Sequence, residues 1–297
     1  MSPAHEPHAR PTRYLGVDLG GAKNQKTALA VLEYYPSEEK IFLLDIYERI
    51  TGDEALLELI EELRPGTAHL GVNVPLDLPA CIPCTRKICP TPRKCSVSPV
   101  KWMRETTRKA AKTPPAAVES PGSRGVRVLD FTPYTQRPVE LWMRYHVLPK
   151  LAQSSRFEVD EALGGTKAAL TARMSYLIRH LGRIPVAEVW PKLSVAIFAE
   201  QLGLQKRIVA RYRQLEEGVH AREEILEILA HRHGLFIYER DVAKLAQSLA
   251  AFDAFICAYT ALLADTGRCA EVPQGFPPSA GWVCYPTLGP GIMEHPV

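Results

Sequence analysis

The sequence predicts an α/β fold built on a mixed β-sheet, from three observations on its N-terminal part. Three apolar segments of strand length come first, and the turn-rich YPSEE separates the second from the third. An acidic segment with apolar residues at helical spacing follows and ends at Pro65-Gly66. A short apolar segment then reads as a buried strand. The predicted elements are strands at 14–20, 27–33 and 40–47, a helix at 53–63 and a strand at 68–74. In this order the first three strands are antiparallel, and the fourth can lie parallel to the first.

The pattern breaks down after Pro75, where prolines, cysteines and basic residues dominate up to about Gly125. We expect a single domain over 13–297 that follows a disordered lead at 1–12. It carries a Cys-rich basic insertion at 80–127 and a helical elaboration at 139–182. The later predicted elements are helices at 139–153, 158–181, 195–202, 206–215, 221–231 and 241–264, with short strands at 186–190 and 281–286.

Composition indicates a globular chain, with 46% apolar and 23% charged residues. The N-terminus is polar and lacks the apolar core of a signal peptide. No apolar run approaches the ~20 residues needed to span a bilayer. We therefore expect a cytoplasmic protein without a membrane partner. Seven cysteines in a reducing compartment argue against a disulfide framework and for metal ligands or free thiols.

Basic residues are concentrated between Arg86 and Lys112, where the sole acid is Glu105, although the net charge of the chain is only +3. Such a segment can follow the phosphate backbone of DNA or RNA. The equally weighted alternative is a solvated basic loop. The predicted nucleic-acid contacts are Arg86, Lys87, Arg93, Lys94, Lys101 and Arg104.

Three acids fall within apolar segments: Asp18 at the end of the first strand, Glu188 in VAEVW and Asp253 in LAAFDAFICAY. A buried carboxylate is costly without a compensating charge, which a neighbouring basic side chain or a divalent cation can supply. Mg²⁺ and Mn²⁺ prefer carboxylate oxygens. Two such ions ~3.5–4 Å apart can activate water and stabilise the leaving oxygen in phosphodiester cleavage.

The glycine-rich GVDLGGAK at Gly16–Lys23 supports a second interpretation, in which backbone N–H groups cradle a phosphate. It resembles the first phosphate loop of sugar kinases in the actin-like superfamily, which implies a phosphotransferase. The second Asp-Gly loop and the glycine-rich adenosine site of that superfamily are not found in the sequence. Gly164-Gly165 does not supply the adenosine site, because a predicted helix rich in Ala, Arg and Leu follows it rather than a pair of strands.

Four cysteines lie within a proline-rich, basic stretch with the spacing C-x2-C-x4-C-x5-C. A small apolar role does not explain four such residues in a polar segment. A Zn²⁺ knuckle and a [4Fe–4S] cluster both suit the thiol set, and the spacing matches neither common consensus closely. The predicted ligands are Cys81, Cys84, Cys89 and Cys95, and the remaining three cysteines are expected to pack as small apolar residues.

Six segments in order resemble the DUF429 family of predicted ribonuclease-H-like nucleases. They are YLGVDLGGAK, LGVNVPLDLP, FTPYTQRPVELWMR, VAEVWPKLSV, LAAFDAFICAYTALL and AGWVCYP. The resemblance implies a ribonuclease-H-like mixed sheet flanked by helices, and it places family acids at Asp18, Glu188 and Asp253. Asn73 stands where the family usually has an acid, and it adds a neutral ligand at most. Asp77 is a nearby acid that could compensate.

The sequence therefore predicts a metal-dependent nuclease or phosphodiesterase that acts on nucleic acid through Mg²⁺ or Mn²⁺ at Asp18, Glu188, Asp253 and Asn73. One alternative is the sugar-kinase-like phosphotransferase. Another is a non-catalytic nucleic-acid-binding module whose acidic site has decayed. Trp102 can stack on a base or pack the insertion. The basic helical face at Lys206, Arg207, Arg211 and Arg213 is expected to be solvated.

Overall fold

The structure is a computed structural model that describes residues 10–21, 26–112, 131–204 and 206–287. Most of the predicted lead and residues 113–127 of the predicted insertion lie outside the described residues. The strands are β1 (Thr12–Asp18), β2 (Thr27–Tyr35), β3 (Lys40–Ile50), β4 (Thr67–Val72), β5 (Val186–Glu188) and β6 (Leu235–Phe236). The α-helices are α1 (Asp53–Leu63), α2 (Ser98–Lys112), α3 (Pro138–Trp142), α4 (Lys167–Leu177), α5 (Pro191–Leu202), α6 (Lys206–Arg211), α7 (Glu217–His233), α8 (Glu239–Gln247) and α9 (Leu249–Asp265).

The chain divides into two compact units. The first consists of Met1–Asn73, Leu177–Ala270 and Cys284–Val297, and it contains the β-sheet. The second consists of Val74–Tyr176 and Glu271–Val283, and it holds most of the predicted insertion and elaboration.

The described strands form a six-stranded mixed sheet in the order β5-β4-β1-β2-β3-β6. β1, β2 and β3 pair antiparallel, whereas β4 pairs parallel with β1 and β5 pairs parallel with β4. β6, which the sequence pattern does not predict, adds a short parallel pairing to β3. The predicted fold class is confirmed: a ribonuclease-H-like α/β arrangement with helices beside the sheet.

Helix α9 packs directly against the centre of the sheet at two glycines. A Cβ atom built at Gly16 would lie 2.1 Å from the carbonyl oxygen of Ala254, and one built at Gly71 would lie 2.2 Å from that of Cys257. Only glycine allows backbone atoms to approach this closely. The side chains of α9 from Ala251 to Leu263 are buried, which accounts for its almost continuous apolar sequence.

The predicted single helix over 241–264 is wrong. This segment instead belongs to two helices, α8 and α9, which meet at an angle of 113°. Ser248 between them has an extended backbone (φ −106°, ψ 109°), and its hydroxyl accepts a hydrogen bond from the N–H of Ala251. A serine cap of this kind starts a new helix rather than continuing the old one.

Other predicted boundaries also shift. The helix expected at 158–181 begins only at Lys167, and the helix expected at 139–153 is a short α3 followed by a π turn (Met143–Val147) and a 3-10 turn (Leu148–Lys150). The strand expected at 281–286 is reduced to the isolated bridges of Cys284 and Pro286. Helix α2 falls in the segment where the sequence pattern breaks down.

Among the described residues, no single helix is long and apolar enough to cross a membrane. α8 and α9 meet that test of length and composition only together, as the bent pair.

The glycine contact predicts a large stability difference between two Gly→Ala variants. Gly16→Ala should lower the free energy of unfolding by about 3 kcal/mol or more, because the new methyl group meets the α9 backbone. Gly66→Ala is the control: its φ is +79° with no atom within 4 Å, so only the backbone strain of about 1 kcal/mol is expected. Urea unfolding measures both values, and equal losses would contradict the assigned contact.

Candidate active site at the carboxyl edge of the sheet

Asp18 and Asn73 lie side by side at the ends of two adjacent parallel strands. The backbone N–H of Asn73 donates to the carbonyl of Val17 (3.1 Å), which extends the β1–β4 pairing by one residue. The Nδ2 group of Asn73 donates to Oδ1 of Asp18 at 2.8 Å. Since side chains alternate along a strand, both residues share the sheet face of Gly16 and Gly71, which is the face that α9 covers.

The direction of α9 brings Asp253 to the same end of the sheet. At the far end of the helix, Asp265 accepts a hydrogen bond from the Tyr14 hydroxyl near the start of β1 (2.7 Å). The helix therefore runs antiparallel to β1 and passes Gly16 with Ala254 and Ala258. Asp253, one residue before Ala254, lies towards the strand end that carries Asp18, and only 1% of its surface is exposed.

The Asp253 carboxylate is paired with Arg213. Guanidinium NH1 lies 2.5 Å from Oδ2 of Asp253, and the Arg213 side chain is 41% exposed. Burial is the largest single influence on the pKa of Arg213 and lowers it. The Asp253 carboxylate and Tyr212 together outweigh burial, so the pKa of Arg213 lies above its ordinary value. Arg213 is exposed, as predicted for a solvated basic face, but the prediction misses that its guanidinium is also the counter-ion of this buried acid.

Tyr212 forms the floor beside this ion pair. Its hydroxyl accepts a hydrogen bond from NH1 of Arg213 at 3.3 Å, and the guanidinium lies 5.7 Å from its ring centre. Burial raises the pKa of Tyr212 well above 10, and the carboxylates of Asp253 and Asp18 add to the shift. Both carboxylates therefore lie within electrostatic range of one hydroxyl, which stays protonated at neutral pH.

Arg222 holds the segment that presents Tyr212 and Arg213. This arginine is 1% exposed; its Nε donates to the carbonyl of Ala246 (2.6 Å) and its NH1 to the carbonyl of Tyr212. Gly218 leaves room for it, since a Cβ there would lie 2.6 Å from NH1. The sequence gives little sign of this role, because Arg222 lies in a charged helix like any solvated residue.

Glu188 lies at the end of β5 but in a different register. It pairs with Val72, one residue before Asn73, so strand alternation directs its side chain to the face opposite that of Asp18 and Asn73. Glu188 is 1% exposed and accepts a hydrogen bond from Nε1 of Trp190 at 2.9 Å. Burial, with a further contribution from Glu188, raises the pKa of the Cys284 thiol to about 11. Asp18, Asn73 and the helix that carries Asp253 therefore lie on one face of the sheet, and Glu188 lies on the other.

The predicted nucleic-acid contacts lie in the second unit and divide into two kinds. Arg86, Lys87, Arg93, Lys94 and Lys101 have exposed side chains, as phosphate contacts require. Arg104 is turned inward: its NH1 donates to the carbonyls of Pro92 (3.0 Å) and Cys95 (2.9 Å). Arg104 therefore fastens the cysteine-bearing loop to α2, a structural task that already uses its guanidinium. Asp77, also in the second unit, packs against Gly281.

The four clustered cysteines are free thiols. Cys95 is buried, Cys81 is half-buried, and Cys84 and Cys89 are exposed. Burial raises the pKa of Cys81, and Cys95, Cys89 and Cys84 add smaller contributions in that order. The four sulfur atoms thus lie within electrostatic range of one another.

The glycine-rich turn after β1 is described only in part, since residues 22–25 are outside the described ranges. The N–H of Gly20 donates to the Thr27 hydroxyl at 3.1 Å. This bond satisfies a donor that the phosphate-loop interpretation would direct at a nucleotide.

The chemical types of these side chains suit the expected metals, but their arrangement among the described residues does not form a metal site. Carboxylate and amide oxygens at Asp18, Asn73 and Asp253 fit a hard divalent cation, and the cysteine thiols fit zinc or iron. Within the described residues, however, no group of three or more His, Cys, Asp or Glu side chains is placed to hold an ion. At Asp253 the guanidinium of Arg213 takes the position of a cation.

Comparison with known proteins identifies a family. The family model described as "Protein of unknown function (DUF429)" matches residues 16–277. The match covers most of the chain, so the protein belongs to this family, as the six sequence motifs indicate. No curated protein and no solved structure matches it.

The Arg213–Asp253 pair predicts a strong coupling in unfolding experiments. In buffer with EDTA, Arg213→Gln should cost about 2 kcal/mol of unfolding free energy, because it leaves a buried carboxylate without its counter-ion; partial exposure of the arginine keeps the loss below that of a fully buried pair. In the Asp253→Asn background the same change should cost much less.

Arg211→Gln is the matched control. Its partner is Glu217, and both side chains are about half exposed, so a loss below about 1 kcal/mol is expected. Additive effects of Arg213→Gln and Asp253→Asn would show that the two side chains do not interact.

Proposed function

We propose that this member of the DUF429 family hydrolyses phosphodiester bonds of nucleic acid, with divalent cations, Mg²⁺ or Mn²⁺, held at Asp18, Asn73 and Asp253. The observation that carries the proposal is the hydrogen-bonded pair of Asp18 and Asn73 at the carboxyl ends of two parallel strands, with Asp253 buried on the helix that covers the same face. Ligands of open α/β sheets bind at this edge.

The chain's own residues would work as follows. Asp18 and Asp253 supply negative charge, and Asn73 fixes the orientation of Asp18 through its 2.8 Å hydrogen bond. Bound divalent cations supply the activation of water and the stabilisation of the leaving oxygen. A cation at Asp253 would displace Arg213, and the guanidinium could then pair with the scissile phosphate. Tyr212 keeps its proton and does not act as a base, because its pKa is raised.

Glu188 has a different part in this proposal from the one that the sequence predicts. Its carboxylate faces the other side of the sheet and accepts from Trp190. We assign it to hold the turn between β5 and α5 rather than to bind the cation. The exposed basic residues Arg86, Lys87, Arg93 and Lys94 would bind the phosphate backbone irrespective of base sequence.

A second function has support from two specific observations. Asn73 removes a charge from the site, and Arg213 neutralises the charge of Asp253. Both are consistent with a module that binds nucleic acid without cleaving it. Binding that is sensitive to salt, together with no cleavage in Mg²⁺ or Mn²⁺, would favour this second function.

Cleavage of labelled single- and double-stranded DNA and RNA in Mg²⁺ and Mn²⁺ tests the first function. Asp18→Asn and Asp253→Asn should each lower the rate about a hundredfold or more, as expected for the loss of several kcal/mol of transition-state stabilisation. Glu188→Gln should lower it less than about tenfold. EDTA should abolish it.

Asp265→Asn is the matched control, because Asp265 lies on α9 but contacts Tyr14 at the opposite end of the sheet. Its rate should equal that of the wild type. Equal losses in Asp265→Asn and Asp253→Asn would contradict the assignment of the site, as would full activity of Asp18→Asn.

The cysteine cluster leads to a separate proposal, that the four thiols hold Zn²⁺ or a [4Fe–4S] cluster which fixes the loop before α2. Anaerobically purified protein should contain one zinc ion or one cluster by metal analysis and absorption spectroscopy. Cys84→Ala/Cys89→Ala should lose it, whereas Cys269→Ala, outside the cluster, should retain it. If the protein contains neither zinc nor iron and the double variant is as stable as the wild type, the proposal is refuted.

A further inference from the structure

The second unit contains a cavity of about 400 Å³ that the proposed active site does not use. The cavity is formed between α2 and the α3–π segment. Its lining includes Trp102, Thr106, Lys109, Trp142, His146 and Gln274. Its volume falls in the range of small-molecule pockets. Below we call it the aromatic cavity.

Aromatic residues form part of the wall of this cavity, and further rings pack behind them. The rings of Trp142 and His146 lie 4.2 Å apart at 34°, and Trp102 lies 6.5 Å from Trp142. Phe276 packs edge-on against Trp102 at 5.2 Å and against Trp282 at 5.1 Å. Three of the four tryptophans of the chain thus belong to one cluster. Flat rings at several angles suit a planar, π-rich ligand.

One donor in the wall lacks an acceptor. Nε1 of Trp142 is buried and has no hydrogen-bond partner among the described residues. A buried N–H without an acceptor costs free energy, and indole groups in proteins usually have a partner. Protein atoms cover Nε1 in this arrangement, so a ligand with a ring nitrogen or carbonyl oxygen would satisfy it once the Trp142 side chain has shifted towards the cavity.

The rim of the cavity is positive. Lys109 is exposed on α2, and α2 contains a single acid, Glu105. His146 experiences the same field: burial lowers its pKa, and Lys150 and Lys109 lower it further. Within the described residues, these groups make the rim favourable for an anion and leave His146 neutral at pH 7.

We propose that the aromatic cavity binds one nucleotide, with its base among the Trp102 and Trp142 rings and its phosphate at Lys109. This inference rests on the proposed action on nucleic acid. It adds that the second unit of the protein recognises a single nucleotide. The base accepts a hydrogen bond from Nε1 of Trp142, and contact with a π face makes the recognition tolerant of base identity. The nucleotide can come from a single strand or from the free pool.

Calorimetric titration with EDTA present tests this binding apart from cleavage. The probes are nucleoside 5′-monophosphates and a short oligothymidylate. Trp142→Phe keeps a ring but removes the N–H, so the affinity should fall about two- to tenfold. Lys109→Gln should weaken binding about fivefold and reduce its salt dependence. Arg108→Gln, one residue away and not in the wall, should change the affinity less than twofold.

The two sources of the nucleotide are separated by the probes. Equal affinity per site for monophosphate and oligonucleotide would identify the free nucleotide as the ligand. Much tighter binding of the oligonucleotide would identify a single strand as the ligand. Either result supports binding of a nucleotide in the aromatic cavity. Asp18→Asn should bind as the wild type does, so a failure to cleave nucleic acid leaves this test intact. No heat of binding with either probe at millimolar concentration, or affinities unchanged in Trp142→Phe and Lys109→Gln, would overturn the proposal.

Discussion

The backbone of α9 meets the backbone of β1 and β4 at Gly16 and Gly71, and the candidate site depends on this contact. Any side chain at either position would push the helix away from the sheet. Because α9 runs antiparallel to both strands, the contact also decides which residue of the helix lies at which strand end. Asp265 is held near the start of β1, and Asp253 is held near its end, on the side of Asp18. The two acids of one helix therefore have different environments.

Charge compensation is the second constraint on the site. A carboxylate that is 1% exposed needs a counter-ion, and Arg213 provides it from a segment that Arg222 fastens through backbone carbonyls. In the proposed function, a divalent cation would compete with this guanidinium for the same carboxylate. The site thus has two stable arrangements in our account, one with Arg213 on Asp253 and one with the cation there. The amide of Asn73, in place of a third charge, shifts the balance between them towards Arg213.

Much of the fold was accessible from the sequence, because β1 to β4 and α1 each have a clear period and clear ends. Asp18 and Asn73 could be located for the same reason. The face of Glu188 could not, since it depends on a one-residue register between β4 and β5 that no local pattern records. The break at Ser248 separates two segments that are both helical in pattern. The partner of Asp253 and the aromatic cavity are formed by residues far apart in sequence, such as Arg213 with Asp253 and Trp102 with Phe276, and only the folded chain brings them together.

The most direct test of the central claim is a crystal structure of the protein soaked in Mn²⁺, with anomalous diffraction data. We expect an anomalous peak bonded to oxygens of Asp18, Asn73 and Asp253, and an Arg213 side chain that has moved off Asp253. A well-ordered site with no peak at saturating Mn²⁺, and with Arg213 still on Asp253, would contradict it. A peak at Glu188 without Asp253 would also contradict it.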